Sequence, residues 1–88
     1  MSDEMLRDDA DADEAVDFGR DLLDDLAIVR EKVEDGDLPA GAEEFVEDVE
    51  SKVEGIVEWI DTESHVTEAQ IRTLRGIRGG ADKWLRRD

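Results

Sequence analysis

Ala42–Ile60, AEEFVEDVESKVEGIVEWI, decides the fold. Its apolar residues fall at Ala42, Phe45, Val46, Val49, Val53, Ile56, Val57 and Ile60. Steps of three and four return to one face of a helix, where each residue turns the chain through about 100°. Between them stand Glu43, Glu44, Glu47, Asp48, Glu50, Glu54 and Glu58. One stripe requires a core and the remainder requires water, so this helix is not stable alone. The rest of the chain supplies the cover.

Upstream, a helix is expected over residues 13–35. Its apolar set is Ala15, Val16, Phe18, Leu22, Leu23, Leu26, Ala27, Val29 and Val33. These span an arc of about 180°, wider than the usual stripe, which suits a helix touching two neighbours at once. Ile28 points away from that arc, and Arg30 falls inside it near its end. Gly36 is the expected C-terminal cap, after which Asp37-Leu38-Pro39 resets the chain. Residues 1–12 form an acidic tail or a backward extension of this helix, because Met5, Ala12, Gly19, Leu26 and Val33 are spaced by seven.

The second helix is expected over residues 39–61, with Asp37 as its cap and Pro39 in its first turn. The short polar link Thr62-Glu63-Ser64-His65 favours an antiparallel neighbour. A third helix follows over residues 67–86. Thr67-Glu68-Ala69-Gln70 fits a capping box, and Val66 and Ile71 stand where a hydrophobic staple puts its pair. Its apolar face is Ile71, Leu74, Ile77, Ala81, Trp84 and Leu85. Gly76, Gly79 and Gly80 weaken it by about 1 kcal/mol each relative to alanine, which leaves a bend or an early end near Gly79 open. The fold expected is all-α: one domain, a three-helix up-down-up antiparallel bundle with room for an extended first helix.

At 88 residues, with no cysteine, the chain has a small core and no disulfide or thiolate site to staple it. Its net charge is −16. Few aromatics and many acids accompany disorder in some chains, but the helical stripes argue for a fold. In 1 M salt the screening length is about 3 Å, so acidic self-repulsion is largely suppressed. In composition this chain resembles the small acidic proteins of halophilic archaea: carboxylates in excess, 3 lysines against 8 arginines, and modest aliphatics for the core. That resemblance implies a salt-rich cytoplasm. No stretch reads as a membrane span or a signal peptide, and the location expected is cytoplasmic.

Charge is unevenly spread. Residues 1–66 hold 24 acids and 5 bases, a net of −19, while residues 67–88 hold 3 acids and 6 bases, a net of +3. Arg72, Arg75, Lys83, Arg86 and Arg87 lie opposite the third helix's apolar face and form a candidate basic contact surface; Arg78 flanks that face.

Asp9, Asp11 and Asp13 have the spacing of the first three ligands of a calcium loop, but Glu14 and Arg20 occupy the positions that need glycine and glutamate. His65 has no partner at metal-ligand spacing. Ser2, Ser51 and Ser64 lie in no nucleophile-elbow motif, and no glycine loop cradles a phosphate. No catalytic residue, metal or cofactor is expected. VTEAQIRTLRGIR (residues 66–78) resembles the opening helix of helix-turn-helix repressors, but too little chain follows for a recognition helix.

Trp59 and Trp84 sit about 100° and about 60° from the centres of their helices' stripes, which are edge positions. They close the rim of the bundle or, with Ile28, are the candidate interface residues, tryptophan being enriched at interface hot spots. The expected function is a small interaction or structural module that self-associates, with a homodimer favoured and any further protein partner unknown. The alternative is a nucleic-acid-associated accessory protein using the basic last helix. Nucleic acid ranks below a second copy as partner, because charge contacts fail in high salt.

Overall fold

The computed structural model describes Leu6 and residues 10–86. Three helices account for most of them: α1 (Ala12–Glu34), α2 (Ala40–Glu63) and α3 (Glu68–Leu85). Gly19 of α1 lies against Val57 of α2, while Arg30 lies against Glu50. Moving up one helix is moving down the other, so the pair is antiparallel. Gly80 against Phe45, and Trp84 near Gly41, make α3 antiparallel to α2. The bundle is all-α and up-down-up.

Each boundary has a local cause. α1 begins at Ala12 because Asp11 is extended (φ −93°, ψ 176°) and its carboxylate accepts the Glu14 N–H at 2.9 Å. The spacing by seven therefore carries the helix no further back than Ala12; Met5 lies outside the described residues. At the other end Gly36 takes φ +85°. Its N–H donates to the Val33 carbonyl at 3.0 Å, and the Asp37 N–H donates to Lys32 at 2.8 Å, the paired bonds of a Schellman motif. α2 departs from expectation: Pro39 is the cap residue and no side chain caps the helix, Asp37 being left exposed. Proline's fixed φ already suits the entry, and it has no N–H to leave orphaned. The capping box of α3 forms in full: Thr67 Oγ1 accepts the Gln70 N–H at 3.1 Å, and Gln70 Oε1 accepts the Thr67 N–H at 3.0 Å.

The helices pack unequally. α1 packs most extensively on α2 and next on α3, while α2 and α3 touch each other least. So α1 is the hub, its wide apolar arc touching both neighbours, and α2 is one of its two covers. The backbone spans 39 × 27 × 17 Å, a flattened bundle. Leu22, Leu26, Val29, Val46, Val53, Ile60 and Leu74 form its fully buried centre. Leu6 and Leu38, both outside helices, are buried in the same cluster. No polar or charged residue among those described is fully buried, so nearly all the carboxylates keep their water.

Two glycines set the helix approaches. A Cβ at Gly19 would collide with a methyl of Val57, and one at Gly80 would lie 2.9 Å from the Phe45 ring. α3 runs unbroken through Gly76, Gly79 and Gly80 to Leu85, so the helix does not end early at Gly79. Contact with Phe45 at Gly80 supplies what helix propensity lacks there.

Candidate functional site

Two arginines join the helices. Arg30, expected inside an apolar arc, reaches across to Glu50 of α2 with Nη2 3.2 Å from Oε1. Its stem covers apolar surface while its head is paired. Arg78, on the flank of α3 that faces α1, is the more buried of the two. Its Nε, fully buried, lies 3.5 Å from Asp25 Oδ2 and 3.6 Å from Asp82 Oδ1, distances of an ion pair rather than of hydrogen bonds. Its guanidinium stands 5.5 Å from the centre of the Phe18 ring, within cation–π range. Burial raises the Asp25 pKa above its ordinary 3.8; Arg78 opposes that rise, and Asp82, Asp21 and Asp24 add to it. The Arg78–Asp25 pair thus ties α3 to the hub.

The basic surface of α3 is thinner than the sequence count. Arg72 is exposed and lies 3.8 Å from Glu68 one turn back, a weak surface pair. Arg75 is half-buried, and Lys83 and Arg86 are exposed. Arg86 also ends the helix, its N–H donating to the Asp82 carbonyl at 2.9 Å. Arg87 lies outside the described residues. The helix-turn-helix likeness goes no further, because α3 is one helix and no second one follows among the described residues.

The candidate interface residues do not converge. Ile28 is 43% exposed and Trp59 is 41% exposed, on different helices. The Trp59 ring has His65 beside it, with centroids 6.3 Å apart and planes tilted by 57°. Trp84 is half-buried near Gly41. With Phe45, Gly80 and Lys83 it lines a cleft of about 270 Å³ at the far end of the α2–α3 seam. A second, shallower groove of about 420 Å³ runs between α1 and α2, walled by Arg20, Leu23, Glu54, Val57, Glu58 and Asp61.

Asp11, which suggested a calcium ligand by spacing, is spent on the α1 cap. Asp13 is exposed in the first turn, where its charge meets the positive end of the helix dipole. Asp9 lies outside the described residues. Among the described residues no group of three or more acidic or histidine side chains is arranged to hold a metal ion. Also among them, no helix is long and apolar enough to cross a membrane. Sequence reasoning missed Leu6, Leu38 and Gly19. The two leucines carried a signal, each a lone aliphatic residue in a polar, irregular segment. No family model matches this chain, and no curated protein or solved structure matches it significantly.

Proposed function

We propose that this protein is a non-enzymatic helical interaction module of a salt-rich cytoplasm that works as a homodimer. The observation that carries the reading is the exposure of Trp59 and Ile28 on a surface otherwise given to charge. Tryptophan is enriched among the residues that anchor interfaces, whereas a singly exposed isoleucine is ordinary. The small core supports it further, since chains of this size without staples gain stability by association. Light scattering at micromolar concentration in molar KCl tests the reading. A mass twice that of the chain is expected, and a monomer mass independent of concentration contradicts it.

The runner-up, a nucleic-acid accessory role, draws on the exposed cations Arg72, Lys83 and Arg86. It is the weaker reading on magnitude. Five phosphate contacts would give log affinity a slope of about −4.5 against log salt, so a thirtyfold rise in salt removes roughly six to seven decades. The inward turn of Arg78 lowers the available charge further. Fluorescence anisotropy with duplex DNA and structured RNA in molar KCl discriminates the two; micromolar binding there would promote the runner-up.

A further inference from the structure

We infer that the second copy seats on the open α2–α3 face, with α3 of each copy lying along α2 of the other. This rests on the self-association proposed above and assigns it a surface, an orientation and a register. α1 covers one side of the α2–α3 pair, and among the described residues Lys52, Trp59, Ala69, Gly76 and Lys83 stay exposed on the other; these two helices touch each other least. Their seam closes at one end, where Gly80 meets Phe45 and Trp84 nears Gly41.

Helical spacing places matching rows along that seam. Phe45, Lys52 and Trp59 are seven apart and share one flank of α2; Lys52 and Trp59 are exposed. Ala69, Gly76 and Lys83 are likewise seven apart on α3, and all three are exposed. A Cβ added at Gly76 would meet nothing within 4 Å. The α2 row is bulky, while the α3 row is small at Ala69 and Gly76 and long only at Lys83. The Lys52 side chain, which the register below sets between Ala69 and Gly76, therefore finds low ground on the other copy, which close packing of an interface requires.

Charge selects the orientation. α2 holds nine acids and one lysine, a net of −8, and α3 holds two acids and four bases, a net of +2. A two-fold axis crossing the helices would stack α2 on α2, −8 upon −8. An axis running along them puts α3 over the partner's α2, so unlike charges meet. The exposed cations Arg72 and Lys83 then approach a helix whose exposed carboxylates include Glu44 and Asp48. Pairs in contact keep their hydrogen-bonding geometry even where salt screens charges further apart. The register follows from the antiparallel seam. With Gly80 opposite Phe45, seven residues up α2 are seven down α3, and Lys52 stands level with Thr73 of the partner.

The chain has no cysteine, so introduced thiols report without background. Lys52→Cys and Thr73→Cys are made as separate single variants at exposed positions, mixed in equal amounts in molar KCl and oxidised. The mixed disulfide between the two variants is expected to dominate both homodisulfides. In parallel, light scattering of Trp59→Lys, an exposed site whose change leaves the core intact, is expected to show dimer affinity lowered at least tenfold. If the wild type is a dimer and the mixed variants give mainly a homodisulfide, or no mixed product, this face is overturned and self-association stands. A Trp59→Lys dimer of unchanged affinity does the same. A monomeric wild type overturns both.

Discussion

Gly19 and Gly76 occupy the same kind of local structure and do opposite things. Gly19 is buried where a Cβ would strike Val57, so Gly19→Ala is expected to cost about 1–3 kcal/mol by overpacking. Gly76 has nothing within 4 Å of an added Cβ in the middle of α3, so Gly76→Ala is expected to stabilise the folded chain by about 0.5–1 kcal/mol. Urea unfolding at fixed high salt reads both. At the start of α3, Thr67→Ala removes the acceptor for the Gln70 N–H and is expected to cost about 1 kcal/mol, with Gln70→Ala costing less. The same unfolding curves check it; an unchanged Thr67→Ala midpoint would mean the cap contributes nothing. The capping box was legible because its whole mechanism lies within four residues. The glycine contacts were not, because a glycine's worth depends on which side chain another helix brings to it.

Between elements, the clasp of Arg78 on Asp25 makes a claim about pH. Burial raises the folded-state pKa of Asp25 above its ordinary 3.8, against the pull of Arg78. The folded chain therefore holds that proton more tightly than the unfolded chain. The stability this contributes is fully present below the unfolded value and is lost as pH rises through the raised folded one. Asp25→Asn cannot titrate. The stability difference between wild type and Asp25→Asn is thus expected to move against the wild type as pH climbs through that window. Denaturant midpoints of both proteins across the acid range measure it, and parallel curves would contradict the cause assigned to the shift. Periodicity showed that α1 has two neighbours through its wide arc. It did not show that α1, rather than α2, is the hub, because arc width says how many partners a helix has and not how much each is buried. The cap of α2 was misplaced for a similar reason: Asp37 has the right chemistry, but the Schellman turn at Gly36 leaves the chain entering α2 at Pro39.

For the whole molecule, the governing fact is a net charge of −16 around a small aliphatic core. The stripes of α1, α2 and α3 were enough to specify an up-down-up bundle, because three apolar faces joined by short links have few other ways to close. The site was less legible. Trp59 and Ile28 are exposed as their wheel positions implied, but the sequence did not show that α2 and α3 touch so little, with Lys52, Ala69, Gly76 and Lys83 exposed among the described residues. That depends on how far two helices splay, which small residues such as Gly80 set only in three dimensions. In dilute buffer the carboxylates of α1 and α2 repel one another over many ångströms; in molar salt that reach shrinks to about 3 Å. The central claim is that this surface suits a salt-rich solvent. Thermal melting followed by circular dichroism, from molar KCl down to dilute buffer at neutral pH, tests it most directly. The account predicts that helicity and melting temperature fall continuously as KCl is withdrawn and recover when it is restored; a melting temperature that stays constant across the series would contradict it.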